Sequence, residues 1–391
     1  MGDVRGRDIL QRALTGQSPA TVASAPLYMG LFCEPLRRRK LAEVYRAMAA
    51  GKAEIRLSFD DEMAARLEAW DRTYGLFRSP PDWMPCRWGP SRSQADGCHV
   101  TITPNSCMWH SADGRTSVDY DGAYNATATS SVDVWDKQVT ISDDSDIEAL
   151  VPLQGWESWL ADGQGLMVQR AQQRWGDRFL LHGSTGTPFW GGYSVLGFAG
   201  LMRMVHEQPE VLEKLFARLL ENRIAAIRAM REVGLRCLFV EECLTSADMI
   251  SESDFARLVW PFLRDMLAAA ADMGMLTVFY FCGEIAGRLP YLAQCPAHAL
   301  AFEENKKNIV IDLAAIRKEV GPHKVLFGNL DVVVLRDVPR QAIFAEVAAE
   351  AQAAGQPFVA SIGSPVTLDT APERVSWLTE AARAVGMRLT P

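Results

Sequence analysis

Four side chains that could carry chemistry follow short apolar segments of the chain. Glu241 follows CLFV, Tyr280 and Cys282 end TVFYFC, and Glu303 follows ALAF. A thiol can act as a nucleophile or metal ligand, and a carboxylate can move a proton or hold a cation. Two carboxylates that converge would raise the pKa of one by like-charge repulsion, which would make a proton donor or acceptor near neutral pH. We therefore predict all four as catalytic residues, with Tyr280 as a hydrogen-bond donor or acid.

Structural roles remain open for two of these residues. Cys282 could be a small buried hydrophobe, as most free cysteines are. Glu303 stands at the end of a predicted central strand, where burial without a partner is costly. Lys306 or Lys307 is close enough in sequence to supply that partner in a structural ion pair. The alternative for Glu303 is a base or a metal ligand.

A second set of polar residues also follows apolar segments, and we predict that it binds the substrate. It comprises His182, Asn329, Asp331 and Ser364. Asparagine and aspartate offer the amide and carboxylate groups that position a ligand. A satisfied core histidine is the alternative for His182, and a helix N-cap is the alternative for Asp331. His298 precedes its segment, so we expect it at the opposite, structural end.

These residues require elements that bring the ends of the segments together. Six apolar segments have the length of strands: 178–183, 237–242, 276–283, 299–304, 324–331 and 357–364. Between them lie patterns with helical periodicity, over 209–234, 251–274 with a kink at Pro261, 313–320, 338–354 and 372–386. Alternating strands and helices predict a parallel sheet covered by helices.

The even spacing of these strands favours an α/β fold of the closed (β/α)8 TIM-barrel type. We predict a single barrel domain over 1–391, with the site at the carboxyl ends of the strands. No GxGxxG motif follows the first strand of the repeat, which argues against a simple dinucleotide-binding fold.

Residues 85–150 differ from the repeat, and we predict a β-rich insertion that covers the barrel mouth. Alternating patterns occur at 98–103, 115–120 and 137–142, with hairpin turns predicted at Asp113-Gly114 and Asp121-Gly122. Tryptophans at 83, 88, 109 and 135 lie beside or within this region. They either pack at the surface or line a pocket for an apolar substrate.

Composition limits the partners that we expect. The 391 residues are 48% hydrophobic and carry a net charge of −8, and the basic run 37–40 is short, so nucleic acid is not an expected partner. We expect no membrane span, because no uninterrupted apolar stretch reaches about 18 residues. The first residues lack the apolar core of a signal peptide, and the eight cysteines show no disulfide spacing. These features predict a cytoplasmic protein with a small-molecule substrate, and a homodimer is open.

The order of four segments resembles the uroporphyrinogen decarboxylase superfamily. They are VEECLTSADMISESDFARLVWPFLRDML (240–267), VFYFCGE (278–284), VLFGNLD (325–331) and SIGSPVTLDTAPERV (361–375), preceded by RGRDILQRAL (5–14) and APLYMG (25–30). That superfamily includes the decarboxylase itself and methyltransferases that move methyl groups between corrinoid proteins and thiols. The resemblance implies a (β/α)8 barrel.

Departures from the decarboxylase pattern favour the methyltransferase-like branch. Decarboxylases carry an arginine-rich stretch after the first strand, where this chain reads Met29-Gly30-Leu31-Phe32-Cys33. Methyltransferases of the superfamily bind zinc through His-x-Cys, an acidic residue one strand later and a second Cys on the last strand. The resemblance places Tyr280, Cys282, Glu303 and Ser364 at those positions, so Cys282 and Glu303 are the candidate zinc ligands.

Two functions follow from the resemblance. The first is a methyltransferase or demethylase that passes a methyl group from a small methylated substrate to a corrinoid protein, a folate or a thiol. The alternative is a cofactor-free decarboxylase of a small carboxylated substrate, in which Tyr280 and the glutamates handle protons.

Overall fold

The computed structural model describes residues 5–17, 21–111, 116–119, 135–306 and 308–389, with backbone only at 116–119 and 387–389. The strands in chain order are β1 (Ala23–Ser24), β2 (Glu54–Arg56), β3 (Trp83–Pro85), β4 (His99–Ile102), β5 (Cys107–His110), β6 (Thr116–Asp119), β7 (Leu180–Gly186), β8 (Cys237–Glu242), β9 (Leu276–Phe281), β10 (Ala299–Phe302), β11 (Val325–Phe327) and β12 (Phe358–Ala360).

Eight of these strands form a parallel sheet that curves into a nearly closed barrel. Their order around the sheet is β1-β12-β11-β10-β9-β8-β7-β3. The two edge strands meet at Ser24 and Asp82: the Asp82 amide donates to the Ser24 carbonyl at 2.8 Å, and the Ser24 amide donates to Asp82 Oδ2 at 2.7 Å. The predicted (β/α)8 barrel is therefore confirmed. The structure also adds β1 and β3, which are too short to show a sequence pattern.

Helices alternate with the barrel strands, as the periodicity predicted. Their bounds are Gly6–Leu14, Met29–Ala49, Phe59–Tyr74, Arg92–Ala95, Asp144–Leu150, Leu166–Trp175, Pro188–Leu196, Phe198–Glu207, Pro209–Glu232, Glu252–Asp254, Trp260–Asp272, Leu289–Gln294, Leu313–Val320, Val332–Asp337, Arg340–Ala354 and Pro372–Leu389. Short 3₁₀ turns occupy Trp156–Trp159 and Ala161–Gly163.

The helix predicted over 251–274 is interrupted close to Pro261. A π-helical turn spans Phe255–Val259, and a regular helix begins at Trp260. Proline has no amide hydrogen and its ring crowds the preceding turn, so the backbone widens there. The location of the irregularity agrees with the predicted kink.

A second, antiparallel sheet has the order β2-β4-β5-β6. Its apolar face packs with Leu41, Tyr45 and Ala69 of the helices Met29–Ala49 and Phe59–Tyr74. Strands His99–Ile102 and Thr116–Asp119 lie within the alternating segments 98–103 and 115–120, but the segment 137–142 contains no strand. The predicted hairpin turns at 113–114 and 121–122 lie outside the described residues. An insertion over 85–150 that covers the mouth stays a prediction.

Aromatic side chains fill the barrel interior beneath the carboxyl ends of the strands. The Trp83 ring lies 6.1 Å from Phe239 and 5.8 Å from Phe327, measured between centroids. Its indole nitrogen donates to the carbonyl of Pro26 at 2.9 Å, which satisfies the polar atom of a fully buried side chain. This layer forms a rigid floor for the site. None of the described helices is long and apolar enough to cross a membrane.

Candidate active site

A cavity of about 410 Å³ opens at the carboxyl ends of the barrel strands. That volume suits a small organic ligand. Its lining consists of Tyr28, Met29, Gly30, Leu31, Pro85, Cys86, Arg87, His182, Ser184, Trp190, Phe239, Glu241, Cys243, Tyr280, Cys282, Glu303, Lys306, Ser364 and Pro365. All four predicted catalytic residues are among them, as are His182 and Ser364.

The turn after Cys282 directs a backbone amide at Glu303. Gly283 has φ +90°, and its amide donates to Glu303 Oε2 at 3.0 Å. A Cβ at Gly283 would lie 2.6 Å from Ser246 Cβ, so this position requires glycine both for its conformation and for its space. The Cys-Gly sequence at the end of β9 thus positions the carboxylate of the next strand.

Lys306 supplies the cation for this carboxylate. Its ammonium contacts Glu303 Oε1, lies 3.5 Å from Glu304 Oε1, and donates to Ser364 Oγ at 3.0 Å. Burial lowers the pKa of Lys306, but the hydrogen bond to Glu303 and the two carboxylate charges outweigh it, so the pKa is raised overall. The predicted ion pair is present, and it also faces the cavity.

The side chains at the implied zinc-ligand positions do not fit a zinc ion. Tyr280 donates its hydroxyl hydrogen to the carbonyl of Gly363 at 2.8 Å, and Ser364 accepts from Lys306. Among the described residues, no group of three or more His, Cys, Asp or Glu side chains could hold a metal ion. Zinc in proteins is held by three or four such ligands.

Glu241 faces the cavity beside two residues that the sequence prediction did not include. Burial raises its pKa, although a hydrogen bond from Tyr28 opposes the rise. The Tyr28 hydroxyl also lies 3.9 Å from Cys243 Sγ. A hydrogen bond with Cys282 and burial together raise the pKa of the Cys243 thiol well above its usual range. The site therefore contains a carboxyl group with a raised pKa and two adjacent cysteine side chains.

Tyr28 adopts an unusual backbone conformation at the start of the helix Met29–Ala49. Its φ is 55°, in the left-handed region that non-glycine residues seldom occupy. Its ring makes edge contacts with Phe239 and Tyr280, with centroid distances of 5.5 and 5.4 Å. Backbone strain of this kind is concentrated at functional sites. Its position supports a role for Tyr28 in binding.

His182 stacks on Trp83, with ring centroids 4.2 Å apart. It is only 6% exposed, and burial lowers its pKa to about 4, so the ring is neutral at pH 7. Its Nδ1 lies 3.3 Å from the Gly183 carbonyl, which makes Nδ1 the donor and Nε2 an acceptor. Nε2 is buried without a hydrogen-bond partner among the described residues. A ligand donor could satisfy it.

The structure does not bring Asn329 or Asp331 into the cavity. Asn329 Nδ2 donates to the Glu303 carbonyl at 3.0 Å and so holds the end of β10. Asp331 accepts from the amide of Val333 at 2.7 Å, as an N-cap. Both residues line a neighbouring groove instead, although the parallel pairing continues past β11, where the Leu330 amide donates to the Ser361 carbonyl at 3.3 Å. His298 accepts from Thr277 at the opposite end of the barrel, as expected.

Arg87 is the most consequential lining residue that the sequence prediction missed. It follows β3 by two residues, and β3 is only three residues long, so no periodic pattern marks it. Cys243 carried a usable signal, because it directly follows the predicted strand 237–242. The sequence indicated Tyr28 less clearly, since this residue lies in APLYMG, a segment that resembles the family but does not mark Tyr28 as a site residue.

Comparison with known proteins identifies the family. The model of the uroporphyrinogen decarboxylase (URO-D) family matches residues 141–385, more than half of the chain. The chain belongs to the URO-D family. This confirms the resemblance of the barrel segments in the second half of the sequence.

Two curated relatives in the URO-D family are uroporphyrinogen decarboxylases. The protein from Granulibacter bethesdensis is 29% identical over 214 residues, which cover 52% of this chain and 60% of the relative. The protein from Myxococcus xanthus is 24% identical over 229 residues, or 57% of this chain and 63% of the relative. The matches thus span less than two thirds of these relatives.

A solved structure, described as a methyltransferase from Methanosarcina mazei, has the same fold. The superposition covers 97% of this chain and 98% of that one, with a TM-score of 0.62 and 16% sequence identity. At this identity the likeness concerns the barrel fold and not the activity.

Proposed function

We propose that the protein transfers a methyl group from a small, partly apolar, anionic substrate to a reduced corrinoid, a folate or a thiol. One observation carries this proposal. The cavity wall at Met29, Gly30 and Leu31 is apolar, at the positions where the decarboxylase branch carries its arginine-rich stretch. A substrate with many carboxylates would find few cations here, whereas a small apolar body would be well enclosed.

The binding residues have separate roles in this proposal. Tyr28, Trp190 and Phe239 enclose the apolar body of the substrate. Arg87 holds its anionic group, because no carboxylate partner of this guanidinium occurs among the described residues. His182 Nε2 accepts a hydrogen bond from the substrate.

Groups in the cavity, the two reactants and water account for every bond and proton of the transfer step. A lone pair of the acceptor forms the bond to the methyl carbon, and the bond between that carbon and the substrate heteroatom breaks. The electron pair stays on the heteroatom, which takes a proton from Glu241. A folate or thiol acceptor returns its own proton to the Glu241 carboxylate, and with cob(I)alamin, which carries no such proton, water reprotonates Glu241. Glu241 suits this role because burial raises its pKa, which favours the protonated form. Cys243 and Cys282 provide a polarisable wall next to it.

The assay offers purified protein a panel of methyl ethers, methylamines and methyl thioethers of small carboxylic acids. Each is combined with cob(I)alamin, tetrahydrofolate or a thiol, and the methylated acceptor is measured by mass spectrometry. We expect transfer from at least one substrate. Glu241→Gln should reduce kcat, since the proton donor is lost.

Arg87 variants test the anionic group of the substrate. Arg87→Met should raise KM about tenfold or more, since a charge-assisted hydrogen bond contributes about 1.5–3 kcal/mol. Arg87→Lys should raise it less. Arg78→Met removes an exposed arginine outside the cavity and is the matched control. Release of CO₂ from carboxylates without any methyl transfer would contradict the proposal.

Decarboxylation of a small carboxylate is the second candidate, and one observation favours it. Arg87 and Lys306 both reach the cavity and could bind a substrate carboxylate, while Glu241 could protonate the carbanion that forms when CO₂ leaves. The curated relatives are decarboxylases as well. The same panel, with CO₂ as the measured product, separates the two candidates.

A further inference from the structure

We infer that the ammonium group of Lys306 takes the place of a metal ion in this barrel. It is the fixed cation of the site, which needs no zinc. The inference concerns the content of the site and does not depend on which reaction the protein catalyses. Only the role of the ammonium in the reaction rests on the function proposed above.

The first argument is the position of the ammonium. The resemblance implies metal ligands at positions 280, 282, 303 and 364, which line one cavity together with Lys306. Lys306 contacts the side chains at two of these positions, Glu303 and Ser364. A metal ion bound to Glu303 and position 364 would have to displace the ammonium or lie beside it. Two adjacent positive charges repel each other, so the ammonium and a metal ion would exclude one another.

The second argument is charge. Glu303 is 7% exposed and Glu304 is 5% exposed, and buried carboxylates require a cation. Lys306 is the cation that contacts both of them among the described residues. Its side chain is 34% exposed, so the ammonium faces the cavity and is not sealed in the core. The lysine thus provides the compensation that a metal ion would otherwise supply.

The third argument is that the backbone holds this lysine in place. The amide of Ile309 donates to the Lys306 carbonyl at 2.8 Å. Asn305 Oδ1 accepts from the amide of Ile311 at 2.7 Å and anchors the next residues. Asn308 has φ 66°, a conformation that asparagine tolerates better than most residues. These two hydrogen bonds hold the backbone at Lys306 in place.

The ammonium group of Lys306 can take part in the proposed reaction. Of its three donors, Glu303 and Ser364 take two. The third can donate to a substrate heteroatom and stabilise the negative charge that develops there as the methyl group leaves. A metal ion acting as a Lewis acid would provide the same stabilisation. The ammonium achieves it without a bound metal.

The test compares the wild type with Lys306→Met and Lys306→Arg, using zinc and cobalt as probes. After incubation with Zn²⁺ and removal of the excess, elemental analysis should find well under one zinc per wild-type chain. Lys306→Met should lower Tm by several degrees, because Glu303 and Glu304 lose their cation, and added Zn²⁺ should restore part of the loss. Lys306→Arg keeps the charge and should show neither effect.

Cobalt spectra locate any metal that binds. In Lys306→Met, a thiolate-to-Co²⁺ absorption band that disappears in the double variant with Cys282→Ser would place the metal at this cavity and support the inference. Stoichiometric zinc in the wild type, lost on Cys282→Ser, would overturn it. A Lys306→Met variant with unchanged Tm would overturn it too. Neither readout requires activity, so failure of the proposed methyl transfer is distinguished from failure of this inference.

Discussion

Glu242 offers a direct test of how burial changes the pKa of a carboxyl group in this barrel. It is the last residue of β8, is fully buried, and does not line the cavity. Thr187 Oγ donates to its Oε2, and the Leu244 amide donates to its Oε1 at 2.9 Å. Burial raises the pKa of Glu242 to about 7, although both donors oppose the rise. An unfolded chain would have this pKa at about 4.3.

The sign of the effect on stability follows from proton binding. Between pH 4.3 and 7 the folded protein binds the Glu242 proton and the unfolded chain releases it. The free energy of unfolding therefore falls as pH rises through this window. Each pKa unit corresponds to about 1.4 kcal/mol, so the loss between pH 5 and 8.5 amounts to about 2–3 kcal/mol.

Glu242→Gln removes this titration and keeps the shape of the side chain. The amide oxygen can still accept from Leu244, and the amide nitrogen can donate to Thr187 Oγ. The free energy of unfolding of the variant, minus that of the wild type, should therefore rise by about 2–3 kcal/mol as the pH is raised from 5 to 8.5. Urea unfolding, followed by tryptophan fluorescence at both pH values, measures the difference.

Glu319→Gln is the matched control, since Glu319 is an exposed carboxylate on a surface helix. It reports any general effect of removing one negative charge. If Glu242→Gln shifts stability equally at both pH values, Glu242 does not carry a proton in the folded protein, and the reasoning from burial is refuted.

Three further predictions concern other parts of the barrel. Gly363→Ala should yield insoluble protein or a clearly lower Tm in thermal denaturation, because the new Cβ would lie 2.1 Å from the Glu304 amide nitrogen; a Tm equal to that of the wild type would refute this. Arg383→Ala should lower the free energy of unfolding, measured with urea, by about 2–4 kcal/mol, because the buried Asp82 loses its ion-pair partner. The loss is smaller than for a fully buried pair, since the Arg383 side chain is 29% exposed. An unchanged urea midpoint would contradict this prediction. The ring of His182 should titrate at about pH 4 by NMR, with stability lost as pH falls from 6.5 to 4; titration near pH 6.5 would show that the ring is not desolvated.

Much of the site could be predicted from the sequence, because barrel strands deliver the residues at their carboxyl ends to one place. Glu241 and Tyr280 lie near the carboxyl ends of β8 and β9, and Cys282 and Glu303 directly follow β9 and β10. These strands are long enough to show a continuous apolar pattern, and all four residues line the cavity. The same rule failed for Asn329 and Asp331, which lie beyond the end of β11. There a hydrogen bond to the Glu303 carbonyl holds the Asn329 side chain, and a hydrogen bond from the Val333 amide holds the Asp331 side chain.

Local periodicity in the sequence is enough to predict the alternation of strands and helices and the strand ends that carry chemistry. The contacts by which Lys306 joins Glu303 to Ser364 become visible in the folded barrel, because these residues come from two different barrel segments. The same holds for the contacts of Cys243 with Cys282 and of Tyr28 with Cys243. These contacts depend on strand register and side-chain conformation, which arise when the barrel closes and are not encoded in any short stretch of the chain.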